Sequence, residues 1–149
     1  MIEFKNVSFS YLSTDNKKIN VLDNMNFKIE AGSFVAIAGE NGSGKSTAAK
    51  LINVLLTPSS GSIFIDGLET SKKENLAKIR RIEGFVFQNP DTQLLNSFVE
   101  EEVAFMSENL GFEADKIEEN VTNALKDCGI EEIRHSQIQT LPAGKKQLV

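Results

Sequence analysis

The chain has 149 residues, 40% of them apolar and 25% charged, which fits a globular protein with room for one sizeable core. Sixteen basic against 21 acidic side chains leave a net charge of −5, which argues against a nucleic-acid binder. The opening MIEFKNVSFSY lacks a basic cluster ahead of an apolar run, and no run reaches membrane-spanning length, so neither a secretion signal nor a span is expected. The single cysteine, Cys128, rules out an internal disulfide. It closes a helical pattern with Ile117, Val121, Ala124 and Leu125 and is expected to be a buried structural thiol.

Residues 2–9, with Ile2, Phe4, Val7 and Phe9, and residues 25–29, with Met25, Phe27 and Ile29, read as strands. The polar stretch STDNKKIN between them reads as a hairpin-like connection. SFVAIA, residues 33–38, is a continuous apolar run of the kind found in strands buried on both faces. Ala48, Leu51, Ile52 and Leu55 then recur at helical spacing over 44–55, and TPSSG ends that helix. GSIFIDG predicts a short strand closing on an Asp-Gly turn, and IEGFVFQ predicts another strand ending at Gln88. Further on, Ser97 and Glu100 form a capping-box pattern, and a second helix is predicted from about Asp115 to Cys128 with Gly129 as its C-cap. From Glu100 to Glu132 there are eleven acidic residues and two basic ones, Lys116 and Lys126. Composition therefore divides the chain into an α/β part, residues 1–95, and an acidic helical part, residues 96–149.

The chemistry lies in the first of these parts. Gly39, Glu40, Asn41, Gly42, Ser43, Gly44, Lys45 and Ser46 fit the phosphate-loop pattern G-x-x-x-x-G-K-[ST] at every fixed position. Glycines let the backbone wrap so that successive N–H groups point at phosphate oxygens. The helix that follows aims its positive end at the same place. Lys45 supplies a mobile charge for the β- and γ-phosphates, and Ser46 supplies a hydroxyl for Mg²⁺. With an apolar run before it and an amphipathic helix after it, the turn is expected to hold a nucleoside triphosphate and magnesium. Thr47, next on the helix, is expected to join the nucleotide-binding residues.

The flanking residues carry a resemblance. VSFSY, FVFQNPDTQL and the phosphate loop together resemble the ATP-binding cassette (ABC) family, over nearly the whole chain. FQNPDTQLL followed by EEEVAFMSENLG resembles the ATPases of energy-coupling-factor and cobalt or nickel importers, with Met106-Ser107 where the familiar form has a Gly-Pro-like pair. The resemblance implies a P-loop NTPase core with an N-terminal antiparallel β part and a helical subdomain. It implies that Tyr11 stacks on adenine and that Gln88 touches Mg²⁺ or the attacking water and reports nucleotide state. It implies ATP and Mg²⁺ as ligands, a second ATPase subunit, identical or related, and membrane partners: a transmembrane coupling component and a substrate-binding subunit. The location implied is the cytoplasmic face of the membrane. The acidic part then acquires a role as the surface that receives the partner's coupling helices, beside its plainer reading as a solvated face.

The end of the chain departs from the family. Where ABC proteins carry a signature resembling L-S-G-G-Q-K-Q, this chain has LPAGKKQ; Leu141, Gly144, Lys146 and Gln147 match. Pro142 offers neither hydroxyl nor N–H, and Ala143 adds a Cβ where close backbone approach is wanted. No apolar strand ending in Asp-Glu lies within the 149 residues, so the metal-holding aspartate and the base glutamate are not among them. The domain is accordingly expected to be partial, with its C-terminal part missing, and to bind ATP without hydrolysing it. His135 precedes the signature and is read as a surface residue. A non-hydrolysing module paired with a competent subunit remains the alternative; a soluble kinase or GTPase would have no reason to carry FVFQNPDTQL.

Overall fold

The computed structural model describes residues 1–149, which form two compact units, Met1–Phe85 and Val86–Val149. The composition change at residue 95 thus falls ten residues after the break in packing.

In the first unit, β1 (Ile2–Leu12) and β2 (Lys18–Ile29) make a long antiparallel hairpin. β3 (Ser60–Ile65) pairs antiparallel with β1, and β4 (Leu68–Glu69) with β3, giving the order β2-β1-β3-β4. Asp66 and Gly67, both at positive φ, form the expected tight turn between β3 and β4. The alternation of β1 slips by one residue between Phe4 and Val7, and the register shifts at that point. Asn6 adopts φ 51° there, and its N–H is held by Asn26 Oδ1 at 2.8 Å. This bulge restores Phe4, Val7 and Phe9 to one buried face. It also brings backbone against Gly61, where a Cβ would lie 2.2 Å from the Asn6 carbonyl oxygen. Helices α1 (Lys45–Ile52) and α2 (Lys73–Ile82) contribute Ala48, Leu51 and Ile79 to a core shared with Phe4, Val7, Phe9, Leu22, Ile63 and Ile65.

Several expectations are corrected. Helix α1 ends at Ile52 rather than Leu55, because Val54 turns to φ 56° and Leu55 and Leu56 both donate to the Lys50 carbonyl. Neither SFVAIA nor IEGFVFQ forms a strand. Phe34 is 99% exposed, and Val35, Ile37 and Val86 are exposed too. A strand buried on both faces needs neighbours at its edges and cover on its faces. The four strands of this sheet pair only with one another. The apolar run specifies the burial such a strand would have, without supplying the elements that would bury it.

The second unit is helical: α3 (Val99–Asn109), α4 (Ala114–Cys128) and the short α5 (Ala143–Lys146), joined by 3₁₀ turns at Pro90–Thr92, Glu131–Ile133 and Ile138–Thr140. Val99, Ala104, Val121, Leu125, Ile130 and Ile138 form its core. Gly129 caps α4 in the left-handed region (φ 63°), as expected. The capping box shifts by one residue. Ser97 gives its carbonyl to Ile138 and Phe98 bridges to Gln137, so the chain stays extended through Phe98. Glu101, not Glu100, therefore accepts the N-terminal N–H, from Phe98 at 3.3 Å. Cys128 is exposed, against expectation. The buried stripe of α4 advances by four residues, through Ile117, Val121 and Leu125, which leaves the i+3 positions Ala124 and Cys128 facing outward.

Candidate functional site

The glycine turn is built as its pattern requires. Gly39, Gly42 and Gly44 all have positive φ (156°, 84° and 93°). A Cβ on Gly44 would meet Leu22 Cδ2 at 2.7 Å, so that position is closed by packing against β2 as well as by φ. Gly44 is the N-cap of α1, and Ala48 N–H begins the helical ladder by donating to its carbonyl at 2.8 Å. No side chain caps the helix start, and its first turn holds no acidic residue. The first N–H groups of a helix have no acceptor within the helix. A donor end without a carboxylate or hydroxyl cap is fitted to an oxyanion.

Lys45 Nζ curls back over the loop and donates to the carbonyls of Gly39 (2.9 Å) and Glu40 (2.7 Å). That contact holds the ammonium against the start of the loop, whose Glu40, Asn41, Gly42 and Ser43 are all exposed. Ser46 is exposed in the first turn of α1, free for a cation, while Thr47 is buried. Tyr11 reaches the same place from the end of β1. Its hydroxyl shares a hydrogen bond with Thr47 Oγ1 at 3.3 Å, and its ring meets Phe9 edge-on, centroids 4.8 Å apart. The first unit thus gathers Tyr11, Gly39–Thr47 and the start of α1 into one place. The donor set, loop amides plus one ammonium and one hydroxyl, suits a magnesium-bound triphosphate. There is no cluster of three His, Cys, Asp or Glu side chains able to hold a metal by itself.

The remaining candidates lie in the second unit. Gln88 is exposed, just before the turn Asn89–Thr92, which Asn89 Oδ1 closes on Asp91 N–H at 3.1 Å. Leu141 packs against the helical core, and Gly144 borders open space. Lys146 pairs with Asp91 Oδ1 at 2.7 Å, and Gln147 Nε2 donates to the Phe87 carbonyl at 3.2 Å.

The acidic surface is more internally committed than its composition indicates. Arg134 binds Glu118 (2.6 Å) and Glu100 (3.1 Å) and reaches Thr122, joining α3 and α4. These bonds hold both carboxyls below the usual carboxylate range, with His135, itself 76% exposed, assisting at Glu100. Glu102 accepts from the N–H groups of Leu95 and Asn96, and Glu132 is held low by Lys145. One carboxyl goes the other way. In the first unit Glu83 follows α2 and lines a 260 Å³ cavity with Ile2, Ala49, Ile52, Asn53, Gly84 and Phe85. Its Oε2 is buried without a hydrogen-bond partner, and burial, with help from Asp66, pushes its pKa up to about 7. The helix α2 and the partners of Arg134 went unread in the sequence. The spacing of Leu76, Ile79 and Ile82 signals the first, whereas pairings across 16 and 34 residues leave no local signal.

A phosphate loop opening a helix, with an aromatic residue from an antiparallel β part set beside it, defines a nucleotide-binding cassette. The sequence profile of the ABC transporter family matches residues 22–149, and the chain belongs to that family. It is 44% identical over all 149 residues to the energy-coupling factor transporter ATP-binding protein EcfA1 of Clostridioides difficile, and 42% identical to EcfA of Pediococcus pentosaceus. The chain spans about half the length of these relatives, 53% and 52%. Among solved structures, cbiO1 from Clostridium perfringens, part of the ABC transporter complex cbiONQ, matches 99% of the chain and is 57% covered by it, with TM-score 0.84 and 34% identity. A dimeric cassette, MJ0796, in a post-hydrolysis state bound to ADP and Pi, matches 99% of the chain and is 66% covered, with TM-score 0.84 and 30% identity. The resemblance noted in the sequence is borne out, and the antiparallel β part and helical part are those of an ABC ATPase.

Proposed function

We propose that this chain is the nucleotide-binding part of an energy-coupling-factor ATPase, one that couples ATP binding and hydrolysis to uptake of a vitamin or metal ion. The observation that carries the reading is the uncapped helix start with Lys45 folded over the Gly39–Glu40 carbonyls. The loop amides and Lys45 bind the phosphates, Ser46 and Gln88 serve Mg²⁺, and Tyr11 lies against adenine. Bound Mg²⁺ neutralises charge on the phosphates. The reading also takes Lys45 and Gln88 as the groups that act on the nucleotide during hydrolysis. Partners are a second ATPase subunit and membrane components, the coupling component and the substrate-binding subunit. Their attachment would hold the chain at the cytoplasmic face; no helix here is long and apolar enough to cross a membrane.

The 149 residues by themselves bind Mg-ATP and do not turn it over. Lys45, Ser46 and Gln88 address the phosphates and the metal, but no apolar strand ending in an Asp-Glu pair lies within the 149 residues to steady the metal or polarise water. Loss of one such group costs on the order of 10² or more in rate. The altered LPAGKKQ segment favours the same outcome, and it is what supports a second reading, a non-hydrolysing module beside a competent subunit. Calorimetry with Mg-ATP tests the binding claim: Lys45→Ala abolishes detectable heat, and equal affinity in the two proteins makes the loop structural. Phosphate release tests the other, and turnover that disappears in Lys45→Ala overturns it.

A further inference from the structure

We propose that Lys146 and Gln147 are positioning residues for the Gln88 loop of the same chain. The inference rests on the reading of Gln88 given above. Phe87, the residue before Gln88, is tied at both backbone groups: its N–H donates to Gln93 Oε1 at 3.3 Å, and its carbonyl accepts from Gln147 Nε2 at 3.2 Å. Three residues beyond Gln88, Asp91 takes the Lys146 ammonium at 2.7 Å. The turn between is closed by Asn89 Oδ1 on Asp91 N–H, by Thr92 Oγ1 on the Asn89 carbonyl at 2.7 Å, and by Gln93 N–H on the Pro90 carbonyl at 2.9 Å. Gln88 therefore sits on a backbone fixed on both sides, with its own residue exposed.

An isolated surface ion pair would carry little weight. Here the Lys146 side chain is only 15% exposed, its neighbour makes the second contact, and both contacts fall on residues flanking one glutamine. Pro142 starts the turn that delivers them. Lys145 and Lys146 donate their N–H groups to the Pro142 carbonyl at 2.9 and 3.1 Å, and Lys145 anchors the turn to Glu132 at 2.7 Å. Such a platform lets an amide reach a ligand without first ordering its own loop, which removes an entropic cost at each binding event. Of the four signature-like matches, Lys146 and Gln147 hold the Gln88 loop and Leu141 packs in the core, so three serve their own chain.

The test uses the 149-residue chain and two readouts: hydrogen exchange over residues 87–93 without nucleotide, and the Gln88 side-chain amide NMR signal with Mg-ATP. Lys146→Met should speed exchange over 87–93 roughly tenfold, leave exchange in α3 and α4 unchanged, and blur the nucleotide-induced shift of the Gln88 signal. Mg-ATP affinity falls by no more than a few fold, because only the share contributed through Gln88 is weakened and the glycine-turn contacts remain. The reversed pair, Asp91→Lys with Lys146→Asp, should restore both readouts. Gln147→Leu provides an independent lesion should the Lys146 variant fold poorly. Unchanged exchange over 87–93 in both single variants, or a folded reversed pair that restores neither readout, overturns the proposal. If Mg-ATP binds the wild type without moving the Gln88 signal, the role of Gln88 fails, and exchange in the nucleotide-free protein still decides the clamp.

Discussion

The two units differ in how far their own residues satisfy them. In the helical unit, Arg134 ties Glu100 to Glu118, Glu102 caps an extended segment, and lysines at the end of the chain find Glu132 and Asp91. In the nucleotide unit the sheet hairpin is complete, yet Phe34 stands 99% exposed and Glu83 carries an oxygen that is buried and unpartnered. A binding loop made of consecutive residues forms from local rules. The apolar runs on either side of it describe strands whose neighbours the four-stranded sheet does not supply.

Breaking the better-packed part of the first unit should give the largest effect. Gly61→Val places a side chain where a Cβ already collides with the Asn6 carbonyl, at φ 80°. Strain and overpacking together cost roughly 3 kcal/mol or more. Urea titration should show that loss, and hydrogen exchange should assign it to β1 and β3, with α3 and α4 as the internal comparison. A loss below 1 kcal/mol on the order-of-magnitude scale of a surface change would mean the bulge rearranges freely.

Next in size is the orphan carboxyl. Glu83 has a folded pKa of about 7 against an unfolded value near 4.5. Its protonated form is the one the cavity accepts, so its favourable contribution is complete below pH 4.5 and is lost as pH rises through about 7. Glu83→Gln removes that dependence. With partial exposure discounted, the variant should be more stable than wild type by about 1–2 kcal/mol near pH 8 and close to it near pH 4.5. A difference that stays constant across this range would show that Glu83 does not titrate in the cavity.

The smallest effect belongs to the exposed network. Arg134→Met should lower Tm by about 2 °C at neutral pH and low salt, and less at high salt. Glu100 and Glu118 are held low, so the stability they contribute is present above their unfolded pKa and is lost as pH falls through the lowered values. The variant and wild type should therefore converge in acid. A drop unaffected by salt and by acid would assign Arg134 a packing role instead.

What the sequence made legible follows the same division. Gly39–Ser46, the Asp66-Gly67 turn and the Gly129 cap are local rules, and each is present in the structure. The strand over residues 2–9 was legible, but the slip between Phe4 and Val7 and its cause, the bulge at Asn6, appear only in the structure. Residues 33–38 and 82–88 misled because strand formation depends on partners elsewhere. Cys128 misled because a helix stripe advancing strictly by four residues turns its i+3 positions outward. The contacts of Lys146 with Asp91 and of Gln147 with Phe87, 55 and 60 residues apart, were invisible to any pattern along the chain.

The central claim is that the first unit carries the phosphate-binding part of the nucleotide site through consecutive residues. Amide NMR shifts on titrating Mg-ATP into the chain test it most directly. The account predicts the largest shifts at Gly39–Thr47, with Tyr11 and Ser46 following the same binding curve, and all of them absent in Lys45→Ala. Shifts centred elsewhere, or shifts at the glycine turn that persist in Lys45→Ala, would contradict it.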